Sequence, residues 1–417
     1  MRNTMTRWKQ DKFYLSTFDP MRHDATPAQA EEFIRLTKEA GFNLVEFTFR
    51  DRAQVTTALE ACEKAGMASI VQDPCFGGVG SGSFENSPFK GGRCLPSEET
   101  VREAVAYYRR FSHVLGFYVW DEPQATAFAD CRRNTDLFRA LAPDKLAFSV
   151  IYPSYGVYTW KDTSALDWTD NGYTRYVNGY LETVDPDVFS MDYYAFYMNR
   201  RTEDIRHCDL WRDLGYCRKR ALELNKPQWF YYQGHGEFVA SDDAIAEMTP
   251  EKVQMQMYAA LAYGVKQLSC FCSSPLLFDG YAKNARFYEP IRMINGRICR
   301  LGNELLDKTP LKIYHSGLEA DYVPLYFLDD ITADGVIAAA SPDLVIGRLT
   351  DDAGRVYLMV SNLSFSAPRD AVLSLAAPYA AEAFDEDTGV YAPPVTTDSL
   401  SFTLSAGHGR LFRLTQR

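Results

Sequence analysis

The 417-residue chain has no run of 18 apolar residues, so nothing in it predicts a membrane-spanning helix. Its first residues, MRNTMTRWKQDKFYLSTF, hold no apolar core followed by a cleavage site. A cytoplasmic protein is therefore the expectation, or a secreted one if a leader has been trimmed. Basic charge is also short: 44 Lys and Arg face 55 Asp and Glu, for a formal net charge of −11. That balance argues against nucleic acid or an anionic membrane as partner, because phosphate binding needs a basic surface. No Gly-rich dinucleotide turn follows the first apolar run, and no Gly-x-Ser-x-Gly elbow is present. GGVGSGS lacks the Lys-Ser/Thr of a phosphate loop, so it reads as an ordinary loop. Nine cysteines are scattered, and the only close pair, Cys270 and Cys272, has no second pair at metal-site spacing. Free thiols in a reducing compartment, no metal and no cofactor are expected.

Aromatic residues are what the chain has in plenty: 26 Tyr, 26 Phe and 6 Trp bring the aromatic share to 14%. They suit a packed core, or a mouth that stacks on sugar rings. Over the first 305 residues, eight short apolar runs alternate with helical patterns. The runs are 13–19, 42–49, 67–73, 114–122, 145–152, 188–194, 227–233 and 265–273. Helix signals lie between them, such as Thr26 and Pro27 opening one segment and Gly66 closing another. Strands separated by helices pair in parallel, and eight such units predict a closed (β/α)8 barrel over 1–308. Beyond Pro310 the pattern turns to short strands with Asp-Asp-Ala-Gly and Ser-Pro turns. This predicts a C-terminal antiparallel β-sandwich over 309–417, packed on the barrel.

The segments after runs three, five, seven and eight are long and irregular, whereas the returns into the next strands are tight. A barrel builds its site from the βα loops at the carboxyl ends of its strands. Polar residues gather at those ends: Asp19, Glu46, Asp73, Asp121, Glu122, Tyr152, Asp192, Tyr193, Gln233, His235 and Ser273. A lone acid at a strand end can simply cap the next helix, but five strands of eight ending in acid point to one acidic mouth. Glu122 stands out. It ends an apolar strand beside Asp121, and both desolvation and a like charge raise a carboxyl pKa. A general acid for glycosidic cleavage needs that shift. Pro123 is expected to hold Glu122 extended. Trp120, Tyr155, Trp160 and Trp168 are candidates for a sugar platform.

VLGFYVWDEP resembles the fourth strand of the clan A glycoside hydrolase barrels that include family 42 β-galactosidases, where the acid/base Glu closes that strand before a Pro. VFSMDYYAF is similar to their sixth strand. ALAYGVKQLSCFCSSP resembles the passage into the eighth strand of related bacterial proteins. The resemblance covers residues 12–305 and implies a glycoside hydrolase acting on a carbohydrate. There are two departures: Asp121 replaces an Asn, and Gln233 stands where the nucleophilic Glu is expected. The Asp-Glu pair also resembles the substrate-assisted hexosaminidases of families 20 and 123. Three mechanisms follow, each with Glu122 as acid: Glu237 as nucleophile, Asp192 or Glu46 as a base acting through water, or Asp121 orienting an N-acetyl group. Exo-action on a short oligosaccharide is expected. A carbohydrate-binding barrel without catalysis, and a metal-dependent isomerase or aldolase, are the rival readings.

Overall fold

The computed structural model describes residues 7–18, 20–22, 24–47, 51–73, 76, 97–159, 172–198, 205–234 and 248–416. Eight parallel strands close into a barrel in sequence order: β1 Tyr14–Phe18, β2 Leu44–Phe47, β3 Ala68–Val71, β4 Val114–Asp121, β5 Leu146–Ile151, β6 Phe189–Tyr193, β7 Gln228–Gln233 and β8 Gln267–Phe271. Each lies inside one of the eight apolar runs. The helix signals hold as well. Thr26 and Gln29 form a reciprocal capping box at the start of helix Pro27–Glu39. Asp51 caps helix Arg52–Ala65, which ends on Gly66 at φ +64°.

Two apolar layers share these strands. Inside the barrel Leu44, Ile70, Tyr118, Phe148, Trp229 and Tyr231 pack together. Outside, alternate residues of the same strands meet the helices, as Val45, Phe117, Phe230 and Tyr232 do. β4 breaks this alternation. A bulge lies between Tyr118, paired with Phe148, and Trp120, paired with Ser149. The extra residue reverses the facing of everything after it. Trp120 therefore joins the outer layer, while Asp121 sits beside inward-facing Val150.

After a two-strand hairpin, β9 Phe278–Asp279 with β10 Ala282–Lys283, and the helix Tyr288–Leu305, the chain becomes antiparallel. Its strands are β11 Thr309–His315, β12 Ile337–Ala340, β13 Leu344–Thr350, β14 Val356–Asn362, β15 Arg369–Asp385, β16 Val390–Tyr391, β17 Val395–Leu404 and β18 Gly409–Gln416. The expected sandwich takes the form of one sheet that doubles back, in the order β11-β13-β14-β18-β15-β12. The long strand β15 is the fold line. Its first half pairs with β12, its second half with β18, and β17 follows it across a register shift. Leu344, Ile346, Leu358, Leu373, Leu404 and Phe412 fill the space between the layers. The sheet sits directly on helix Pro250–Ala262. A Cβ on Gly347 would stand 1.9 Å from the Ala262 carbonyl oxygen, so only glycine permits this approach.

Candidate active site

Glu122, Asp121 and Asp192 come together at the carboxyl end of the barrel. The bulge in β4 turns Asp121 inward, where its Oδ1 accepts from the Tyr118 hydroxyl at 3.0 Å. Strand alternation would send Glu122 outward. Instead its backbone takes φ +44°, a left-handed value uncommon for a side-chain-bearing residue. The expectation that Pro123 keeps Glu122 extended is thus overturned. The surroundings hold the corner in place. The Glu122 N–H still donates to the Val150 carbonyl at 3.0 Å. Tyr176, on helix Gly172–Val184, donates to the Pro123 carbonyl at 2.8 Å and accepts from the Tyr152 N–H at 3.3 Å. Such a conformation costs about 1–3 kcal/mol and persists only where neighbours over-determine it. The result is two consecutive carboxylates on the same side of a strand.

Asp192 reaches the same place from β6, where it pairs with Tyr231 of β7. The carboxyls of Glu122 and Asp192 are hydrogen-bonding neighbours. Tyr194 stands beside Asp192 and favours its charged form, while among the described residues no group donates to the buried Asp192 Oδ1. Burial pushes the Glu122 carboxyl well above the usual carboxylate range, and the charges of Asp192 and then Asp121 push further. Burial likewise lifts Asp192, to about 7; its hydrogen bond with Glu122 works against the lift and the charge of Asp121 adds to it. Like charges this close ionise one at a time, so the pair shares a proton over a wide pH range.

Part-buried aromatic rings stand beside the acids. Phe18 at the end of β1 packs on Phe271 at the end of β8, centroids 5.1 Å apart, and Phe271 packs on Tyr194 at 5.1 Å. The sequence reading missed all three, although Phe18 and Phe271 share the inward alternation of Ser16 and Ser269. Tyr155, which it named, also lies here, with its hydroxyl accepting from the Tyr194 N–H at 3.1 Å.

The other expected site residues sit elsewhere. Glu46 is fully buried inside the barrel, with Ser16 and Ser269 donating to Oε1 and Tyr231 to Oε2. Its carboxylate is committed there and does not stand at the mouth as a water-activating base. Asp73 accepts from Arg52 at 2.9 Å and Tyr108 at 2.5 Å, and so ties the end of β3 to two helices. Trp120, Tyr152 and Tyr193 face the outer apolar layer, so Trp120 is no sugar platform. Gln233 accepts from the Phe196 N–H at 2.9 Å, and its backbone is clasped by Gln256. Ser273 accepts from the Thr17 hydroxyl at 2.5 Å. Asp19, Trp160, Trp168, His235 and Glu237 lie outside the described residues.

A cavity of about 680 Å³ opens at the opposite, amino end of the barrel, lined by Arg7, Lys226 and Lys266 among others. These three cations are already engaged. Arg7 and Lys226 pair with Asp185, and Lys266 donates to the Leu305 and Lys308 carbonyls. The convergent acids are at the carboxyl end.

No family model matches the chain, and no curated protein matches it. Solved structures do. A Bacteroides fragilis protein assigned as an α-galactosidase aligns over 97% of this chain and 79% of its own, at 9% identity and a TM-score of 0.56. A family 27 β-L-arabinopyranosidase from Geobacillus stearothermophilus, solved with arabinose, aligns over 99% and 98%, at 9% identity and a TM-score of 0.52. A second B. fragilis protein, assigned as an α-galactosidase or melibiase, aligns over 97% and 79%, also at 9% and 0.52. At this identity the likeness is one of fold: a (β/α)8 barrel followed by an antiparallel sheet.

Proposed function

We propose that this chain is a glycoside hydrolase whose acid is Glu122 and whose second carboxylate is Asp192. The observation that carries the proposal is the pair of hydrogen-bonded carboxyls from β4 and β6 at the barrel mouth. Glu122 is the more strongly raised of the two and keeps the proton. Asp192, at about 7, is the one to ionise. That division matches the demand of glycosidic cleavage for one protonated and one charged carboxyl. The part-buried rings of Phe18, Phe271 and Tyr194 would offer an apolar wall to a sugar ring. The similar structures, assigned as galactosidases and an arabinopyranosidase, support the same reaction class.

The hydrogen-bonded pair is closer than either mechanism's usual spacing and so lies nearer to that of retention than to that of inversion. Inversion needs carboxyls about 6.5–9.5 Å apart to admit water, and retention about 5–5.5 Å. Asp192, with one buried oxygen that no described residue occupies, then serves as nucleophile. This takes the role that the family 42 resemblance would give to position 233, where Gln233 is already engaged with Phe196. The substrate-assisted reading, with Asp121 orienting an N-acetyl group, is a second outcome of one experiment. A panel of plain and N-acetyl nitrophenyl glycosides and short oligosaccharides is incubated with the protein and its Glu122→Gln variant. Release of terminal sugars with retained configuration, lost in the variant, is expected. Full turnover by Glu122→Gln would sink the proposal. Activity confined to N-acetyl sugars would move the nucleophile from Asp192 to the substrate.

A further inference from the structure

A second group of charges lies far from the acids, in the cavity of about 680 Å³ at the amino end of the barrel. Gln228 at the start of β7, Lys266 just before β8, and Thr309 and Pro310 at the start of β11 bound it. It therefore lies where the barrel meets the C-terminal sheet. Ligand pockets favour such junctions, and their usual volume is about 300–1,000 Å³. The chain as a whole is acidic, at −11. Yet six cations and only two carboxylates, Asp187 and Asp307, line this space.

Most of these cations have a structural occupation. Arg7 and Lys226 pair with Asp185, and Lys308 pairs with Asp307. Lys266 donates to two carbonyls. Arg218, from the helix Asp209–Glu223, is different. It is 6% exposed, and its one hydrogen bond runs from Nη2 to the Pro310 carbonyl at 3.3 Å. Its Nε is buried, and no described residue accepts from it. The acid whose charge reaches it, Asp329, is already held by Lys312 at 2.8 Å and the Ile313 N–H at 2.9 Å. Burial outweighs that distant charge and pulls Arg218 below the usual guanidinium range.

Tying a helix to the Pro310 carbonyl needs a single neutral donor, which glutamine would supply. A guanidinium is a costly choice for that task, because burying a charge is offset only by an opposite charge and full hydrogen bonding. What a guanidinium adds is a planar fork that grips carboxylate or phosphate oxygens two at a time. Lys266 adds a second cation that an anion would favour: burial and the charge of Lys308, opposed by Asp307, bring it down to about 7. The rest of the wall includes Trp8, Ala221, Leu222, Pro227 and Leu306, an apolar surface for the body of a ligand.

We propose that this cavity binds a small organic oxyanion, a phosphate monoester or a carboxylate, with its charged head on Arg218 and its body on the apolar wall. The site is separate from the acids at the mouth and does not depend on the reaction proposed for them.

The full chain is titrated at constant ionic strength with phenyl phosphate and with benzoate, and chloride controls for plain screening. Calorimetry reads binding. NMR reads the arginine Nε–H signals, with that of Arg218 identified by its loss in Arg218→Lys. At least one probe should bind saturably, shift that signal and raise the melting temperature. Which probe does so distinguishes a phosphate ligand from a carboxylate. The heads alone, inorganic phosphate and acetate, should bind more weakly. Arg218→Gln keeps a donor for the Pro310 carbonyl and should weaken binding by roughly 10–100-fold, the range of lost hydrogen bonds to a charged group. Arg218→Lys keeps the charge without the fork; it too should weaken binding, and it serves alone if the glutamine variant does not fold. No saturable binding of either probe overturns the site, and so does binding that is unchanged in these variants.

Discussion

Acids end strands on both sides of the barrel mouth, and their fates differ. On the β2–β3 side, Asp73 receives a guanidinium and a phenol, and Glu46 receives two serine hydroxyls and a phenol. Between β4 and β6, Glu122 and Asp192 face chiefly each other, and one Asp192 oxygen receives nothing from the described residues. The residue type and the strand position are the same. The supply of donors separates a carboxylate that holds structure from one kept in reserve for chemistry. Buried acids with donors are satisfied, while buried acids facing one another are destabilised and reactive.

That contrast can be broken most sharply at Asp192. Asp192→Asn should lower turnover of any glycoside by ~10⁴-fold or more, as removal of a nucleophile does. Glu122→Gln should cost about 10²–10⁴-fold, the range of a lost general acid, measured on an alkyl glycoside whose leaving group needs the proton. Equal losses on nitrophenyl and alkyl substrates would argue that Glu122 is not the acid.

Stability should move the opposite way. An aspartate unfolds to a pKa of about 3.9, while Asp192 in the fold stands at about 7. Between about pH 4 and 7 the folded chain therefore binds more protons than the unfolded one, and its stability falls as pH rises through that window. Asp192→Asn removes this penalty. Urea melts should show the variant more stable by on the order of 2 kcal/mol at pH 8, with little gain at pH 4. Asp213, also lifted by burial to about 7, retains part of the slope in the variant. A variant equally stabilised at both pH values would show that Asp192 carries no titration strain.

The other side of the mouth should respond in reverse. Asp73→Asn weakens two hydrogen bonds to a charged acceptor and should cost about 1–3 kcal/mol in urea melts. Turnover per folded molecule should stay near wild type. A large fall in turnover with unchanged stability would make Asp73 part of the site.

These pairs also mark how far the sequence could be read. All eight barrel strands were legible, because apolar runs, caps and tight returns are local signals. The C-terminal strands were legible as strands. Their joining into one sheet was not, since β15 changes partners across a distance that no local pattern encodes. At the site, Glu122, Asp121 and Asp192 could be picked out as acids ending strands. Glu46 and Asp73 looked alike in sequence, because their donors come from residues 21 to 223 positions away. The left-handed turn at Glu122 was hidden by its own proline, which on local grounds predicts an extended backbone.

The smallest effect is expected at Trp120, one residue before the acids. Regular alternation would put its ring inward from Tyr118 and leave Asp121 outside. The bulge exchanges them, so the ring lies in the outer layer at 6% exposure while the acid faces the mouth. Trp120→Phe should therefore act as a packing change, costing about 1–2 kcal/mol. KM and kcat should remain within about twofold, because uniform binding is lost only when a contacting group is removed. A Trp that stacked on sugar would behave otherwise, and its loss would raise KM by about tenfold for ~1.4 kcal/mol of stacking. Phe271→Leu, on the ring wall beside Tyr194, should produce that rise. If Trp120→Phe raises KM and Phe271→Leu does not, the strand faces the other way at this point, and the two inward carboxylates lose their structural cause.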